Sequence, residues 1–382
     1  MMRKQTQIAA LVLAASLVAA QAVRAQTPES RVSHSGNEWI EETSGTLAAA
    51  RTVKVRIPAG SIKVAGGDQT NVTWVVRKRV SAQSEEAARR ELARFHASAS
   101  SSRDAVIFNA ESSASRVHAD YELHVPRHTD FLRLETNGGP VMAVNITGRV
   151  EARTGGGAIQ IDQIGGLVVA RSGGGDIDIG RTGGDVRLAT GGGHIRVMQA
   201  AGNVKATSGG GDLSIGSGKL MELDTGGGDI KVSQCSGEIK ASTGGGNLEL
   251  VDIGGTAQLE TGSGTIHIGP VHGGLHAETG AGNIVADLTG SKNAFSASRL
   301  ETSAGNIVVY LPDGLGVTIR ASVEVARGSG IHSDLSGLRI TEEGTRPGPR
   351  EVYAEGSLNG GGPLLHVHTV SGNIEFKRKS DK

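Results

Sequence analysis

Cysteine is almost absent from this chain of 382 residues, where Cys235 stands alone. Without a second thiol it forms no internal disulfide and builds no cysteine-based zinc site. Aromatic residues make up only 3% of the chain, and its two tryptophans, Trp39 and Trp74, precede all of the regular repeats described below, so the body offers no stacking platform for sugars. Surplus charge is missing as well: 39 lysines and arginines balance 39 acidic residues. A nucleic-acid binder needs a cationic excess to displace counterions from phosphate, so that class is excluded. Proline is scarce (9) while glycine is abundant (58), which is not the collagen pattern. Regularly placed glycine instead predicts tight turns at fixed intervals.

The first residues read as an address label. Arg3 and Lys4 precede an apolar run from Ile8 to Ala20, followed by Val23, Arg24 and Ala25. That order of charged, apolar and small residues is a secretory signal peptide, 1–25, with cleavage expected after Ala25. The run is shorter than the roughly 20 residues of a membrane-spanning helix, and no second one follows, so no transmembrane segment is expected. Gln26 at the new terminus is not the cysteine of a lipid anchor. The mature chain, mildly acidic once Arg3, Lys4 and Arg24 are removed, is expected in the periplasm, at the cell surface or secreted. Residues 26–50 read as a polar leader with little structure.

A repeat of eighteen governs the middle. The glycines that close each turn before an aliphatic pair are Gly139, Gly157, Gly175, Gly193, Gly211, Gly228, Gly246, Gly264 and Gly282, stepping by 18 except once by 17. After them come segments such as Asp176-Ile-Asp-Ile and His194-Ile-Arg-Val. A second series nine residues out of phase, including Gly148, Gly166 and Gly184, introduces Arg149-Val-Glu-Ala and its relatives. Period-two alternation of branched aliphatics predicts two short strands per unit, each with one buried face. A lone unit cannot cover that face, so successive coils must stack in parallel. The expected fold is all-β: a parallel two-sheet β-solenoid, β-helix-like, of about 18 residues per coil, with glycines at positive φ in the corners. A hydroxyl column three residues before each closing glycine, from Thr136 through Thr154 and Ser172 to Thr279 and Thr302, reads as corner hydrogen bonding rather than an ice- or sugar-binding ladder.

The ends are irregular, as caps against end-to-end pairing must be. Residues 51–135 read as strands with one short helix over Ser84–His96, residues 136–310 as the regular body, 311–378 as irregular coils and cap, and 379–382 as a tail. An insertion near Thr289–Phe295 reads as an exposed contact loop carrying Lys292 and Phe295. A loop is expected over Thr341–Arg350, and Gly372-Asn-Ile-Glu-Phe is a last copy of the motif. Ala59-Gly-Ser-Ile-Lys-Val, the helix after it, Leu123-His-Val-Pro, Thr136-Asn-Gly-Gly and the Thr-Gly-Gly-Gly-Asp-Ile repeats together resemble the bacterial putative-adhesin domain family of unknown function, over roughly residues 50–378. The resemblance implies an exported, envelope-associated β-solenoid and transfers no site.

Chemistry-bearing clusters are few. Calcium β-rolls place a carboxylate at a fixed turn position, but here the column runs Ala158, Asp176, His194, Asp212, Asp229, Asn247, Thr265, Asn283, which argues against an ion ladder and leaves at most an isolated site beside Asp212 and Asp229. Paired acids such as Asp176, Asp178, Asp212 and Glu249 would be the candidates for a carbohydrate-active enzyme on a β-helix. His267 and His276 fall on opposite sheets, so they and His272 share no ion; His366 and His368 share a face without a third ligand. No cofactor is called for. The expectation is therefore a non-enzymatic adhesin-like binding or scaffolding protein of the envelope, with a polysaccharide or protein as partner. The weak binding candidates are the basic run Arg187, Lys205 and Lys240, with Lys292 and Phe295.

Overall fold

Strands of five or six residues with one apolar face hold together only where a neighbour covers that face. The computed structural model, which describes residues 29–113, 116–289, 295–326, 328, 330–344 and 350–379, meets this need with two facing sheets of 17 strands each. Through the body, every strand pairs in parallel with its equivalent one coil away, as in Ile177↔Ile195 on sheet I and Val186↔Val204 on sheet II. The inward residues Ile159, Ile161, Ile177 and Ile195 of sheet I and Val150, Ala152, Val168 and Ala170 of sheet II are fully buried in one continuous core. This is a β-solenoid, and its rungs are two strands wide.

The corners hold the rungs in register. The Thr154 hydroxyl donates to the Gly139 carbonyl of the preceding coil at 2.8 Å and accepts from its own closing Gly157 N–H at 3.1 Å. Thr243 repeats the arrangement with Gly228 O at 2.8 Å and Gly246 N at 3.2 Å. The column is buried throughout, so these bonds satisfy backbone groups that water cannot reach. The glycines serve a purpose other than the expected one. Of the closing series in the regular body only Gly139 has positive φ, at 117°. What requires glycine is proximity: a Cβ on Gly193 would sit 2.4 Å from the Gly175 carbonyl oxygen.

At both ends the spatial order of coils departs from the chain order. The N-terminal elements are β1 (Glu29–Ser35), β2 (Glu38–Ala48), β3 (Thr52–Ile57), β4 (Ile62–Gly67), β5 (Asn71–Ser81), α1 (Glu85–Leu92), β6 (Phe95–Ser101), β7 (Ala105–Ser112), β8 (His118–Pro126), β9 (Phe131–Thr136) and β10 (Val141–Ile146). The β3–β4 rung lies between β7–β8 on one side and β9–β10 on the other. The last motif copy is likewise internal. Leu364–Ser371 pairs with both Ser298–Ala304 and Val317–Val323, and Ile374–Lys379 with both Ile307–Pro312 and Ile331–Ser333. The hydroxyl column follows space rather than chain, Thr136 donating to Gly60 and Thr369 to Gly305.

Several local expectations are corrected. Residues expected as a leader form the β1–β2 hairpin, and β2 pairs along its whole length with β5. The helix is shorter than Ser84–His96: Ser84 caps it, accepting from Ala87 N–H, and it stops at Leu92 because buried Phe95 already heads β6. Within the expected loop Thr341–Arg350, residues up to Glu343 belong to strand Leu338–Glu343. The outermost strands are polar or very short: β6 carries serines, Leu338–Glu343 ends in two glutamates, and Ile331–Ser333 spans three residues. Such edges discourage further pairing.

The corner geometry separates neighbouring glycines. Around Gly192 a Cβ would meet nothing within 4 Å, whereas at Gly193 it would meet the carbonyl. Gly192→Ala is expected to raise stability by about 0.4–1 kcal/mol through the unfolded chain. Gly193→Ala should lower it by roughly 1–3 kcal/mol through overpacking. Urea unfolding of the two variants measures both, and equal effects would contradict this account of the corner.

Candidate functional site

Outward columns inherit the register of the rungs, so charges 18 residues apart come to lie side by side. On sheet I the column Asp178, Arg196, Ser214, Lys231, Glu249 neutralises itself, with Arg196 Nη1 3.3 Å from Asp178 and Lys231 Nζ 3.0 Å from Glu249. Sheet II differs. Arg187, Lys205, Glu222 and Lys240 occupy one column, in which only Lys205 is paired, at 2.7 Å from Glu222. Two residues along each strand, Arg153 and Arg171 are neighbours in the next column. Among the described residues Arg153, Arg171, Arg187 and Lys240 are exposed and form no ion pair.

A single missing residue shapes this face. Between strands Ile195–Ala200 and Val204–Ser208 the turn has three residues, but between Leu213–Gly218 and Met221–Thr225 it has two. Leu220 therefore takes the position that Asn203 and Glu238 hold in adjacent coils, and it is 45% exposed. Inside the shortened corner Met221 replaces valine, its methyl lying 3.0 Å from where a Cβ on Gly218 would be. The outcome is a groove of about 330 Å³ lined by Arg187, Lys205 and Lys240 together with Asp185, Glu222 and Leu220. The structure thus brings three of the expected binding residues together.

The other two candidates part company. Phe295 is 5% exposed and belongs to the core, which removes it from any contact loop; at the inserted corner its ring covers the interior. Lys292 lies outside the described residues. Arg153 and Arg171, not singled out from the sequence, were findable: they sit two residues after the outward position already read as a column, on the same face by strand alternation.

The remaining clusters have structural employment. Asp212 Oδ1 accepts the Asp229 N–H at 2.9 Å, Asp229 Oδ1 the Asn247 N–H at 2.7 Å, and Asn247 Oδ1 the Thr265 N–H at 2.9 Å. Asp176 Oδ1 receives the His194 N–H, and His194 Nδ1 receives the Asp212 N–H at 3.0 Å. Aspartate, asparagine and histidine share an acceptor one bond beyond Cγ, which is why all three alternate in this column. Cys235 is buried against the carbonyls of Lys219 and Gly237, and burial pushes its thiol pKa up. His267 and His276 are exposed on opposite sheets. His366 and His368 stack at 6.4 Å, with His368 Nδ1 2.9 Å from the Ser322 hydroxyl. Ser322 and His368 are direct partners in the parallel pairing of Val317–Val323 with Leu364–Ser371.

No protein-family model matches the chain, and no curated protein matches it. Two solved structures align over most of its length. A "putative cell adhesion protein" from Clostridium sporogenes ATCC 15579 shares 9% identity, with 92% of this chain and 100% of that one covered and a TM-score of 0.15. A "putative adhesin" from Parabacteroides distasonis ATCC 8503 shares 10% identity, with 88% and 97% covered and a TM-score of 0.28.

Because the Asp212 and Asp229 carboxylates already hold backbone amides, thermal unfolding with and without EDTA is expected to coincide. A bound ion would contribute stability that chelation removes, so a fall in Tm on stripping would show a calcium role for the column.

Proposed function

We propose that this chain is an exported, non-enzymatic binding protein of the cell envelope, and that sheet II engages an acidic polysaccharide laid along the solenoid axis. The observation that carries this reading is the contrast between two central columns: on sheet I the column from Asp178 to Glu249 pairs both of its cations, while Arg153, Arg171, Arg187 and Lys240 on sheet II form no ion pair among the described residues. Rungs about 4.8 Å apart set these charges in rows that an extended polyanion can follow. The groove beside Leu220 supplies a depression next to these charges. Export rests on the signal-like order of Arg3, Lys4, Ile8–Ala20 and Ala25, and the motif resemblance to the adhesin-like family points the same way. A polysaccharide-cleaving reading would need acids free to act as a pair, yet Asp176 holds a backbone amide and Asp178 and Glu249 hold cations.

Co-sedimentation with purified envelope polysaccharide tests this. Joint Arg171→Glu and Lys240→Glu changes should weaken binding at least about tenfold, and wild-type binding should fall with added salt. Binding indifferent to both would sink the proposal. Turnover of the polymer that is lost in Asp178→Ala would replace it with the enzymatic reading.

A further inference from the structure

At its N-terminal end the sandwich gapes, and between the sheets lies a cavity of about 280 Å³. Strands β2, β5 and β8 wall it on one side, through Gly45, Leu47, Trp74, Val76 and Tyr121; β6 and β7 wall the other, where Phe108 stands. Trp74, Phe108 and Tyr121 meet edge to face, with ring centroids 5.8 and 6.4 Å apart. This is the main aromatic cluster in a chain that is only 3% aromatic.

Two polar atoms in it are orphaned. Trp74 Nε1 and the Tyr121 hydroxyl are buried without a hydrogen-bond partner, in residues 8% and 1% exposed. Folded proteins pair nearly all such groups, so two in one cavity ask for a complement. Tyr121 lies diagonally from Trp74 across the β5–β8 pair, since Val76 is its direct partner, and such neighbours are within mutual reach of aromatic side chains. Only glycine fits at position 45 against the indole edge: a Cβ there would come within 2.8 Å of Trp74 Cζ2 and 3.2 Å of Nε1. Burial raises the Tyr121 pKa, which keeps the phenol protonated and able to donate. The cation lining the cavity, Lys78, is 3.0 Å from Glu41 and thereby neutralised.

We propose that this open end binds a small uncharged molecule with an apolar body and a carbonyl-type acceptor, which would receive hydrogen bonds from Trp74 and Tyr121. Its size follows from volume: a dry cavity of about 150 Å³ takes a benzene ring, so this one takes a single substituted ring or a short branched chain.

Acetophenone serves as the probe, with ethylbenzene as its counterpart lacking the acceptor and benzoate as its charged counterpart. Titration calorimetry is expected to show acetophenone bound about tenfold more tightly than either, and thermal unfolding to show a matching rise in Tm. Tyr121→Phe should leave the ligand-free protein as stable or more so, weaken acetophenone about five- to tenfold, and leave ethylbenzene unchanged. Ala99→Leu, which fills the cavity from β6, should abolish binding of all three. The Arg171→Glu, Lys240→Glu variant should bind acetophenone as the wild type does, which separates this site from the polysaccharide face. No binding of acetophenone, as when the cavity holds ordered water only, would overturn the proposal. So would equal affinity for ethylbenzene, or unchanged acetophenone binding in Tyr121→Phe and Ala99→Leu.

Discussion

Each coil of the regular body is fastened to the one before it by a buried hydroxyl that donates to a glycine carbonyl, and in most coils that hydroxyl is bonded on two sides. The hydroxyl of Thr243 gives its proton to a glycine carbonyl one coil back and takes the amide of its own closing glycine. That carbonyl occupies the space a Cβ would need, so hydroxyl and glycine are one device rather than two features of the repeat. By pinning the same atoms in every coil it fixes the register, and register fixes everything outward of it. The Asp–His–Asn column can pass one hydrogen bond from coil to coil only because equivalent residues stack. The ion pairs of sheet I and the unpaired cations of sheet II follow from the same alignment.

The caps use this device without respecting chain order. In the body each rung meets partners 17 or 18 residues away, or 23 across the inserted corner, a local contact by solenoid standards. The β3–β4 rung instead waits for β7–β8 and β9–β10, and the last coil must enter between Ile307–Pro312 and Ile331–Ser333. Such pairings close long loops before any contact rewards them, which makes them slow relative to the body. They also leave the ends of the stack to hairpins with polar or short outer strands, and this blunts a surface that would otherwise recruit another chain.

Much of this was legible in the residues. The 18-residue glycine step, the alternating aliphatics and the hydroxyl column each state a backbone requirement directly, and parallel stacking follows from them. What escaped was of a different kind. One coil's sequence suggests positive φ as the reason for glycine, because the carbonyl of a neighbouring coil is invisible in it. The β1–β2 hairpin was hidden because its strands are largely polar, and β2 gains its order from pairing with β5 rather than from a buried face. Phe295 looked exposed because an insertion in a repeat usually points outward, yet a corner that breaks the pattern uncovers core for an aromatic ring to close. Arg153 and Arg171 lie in the second of the two outward columns that a strand face carries, two residues beyond the first.

A perfect repeat is poor at recognition, since a surface that offers the same feature at every rung cannot mark one place as the site. Two places where the described residues offer something particular are places where the repeat fails. Loss of one turn residue before Met221 lifts Leu220 into the open and deepens the sheet beside Arg187, Lys205 and Lys240. At the N-terminal end the stacking of like on like runs out, and Trp74, Phe108 and Tyr121 fill the gap with rings whose polar atoms are left unpaired. The regular coils supply the stiffness and the charge rows. The departures from them supply the concavity and the unmet hydrogen bonds, which is what a ligand has to find.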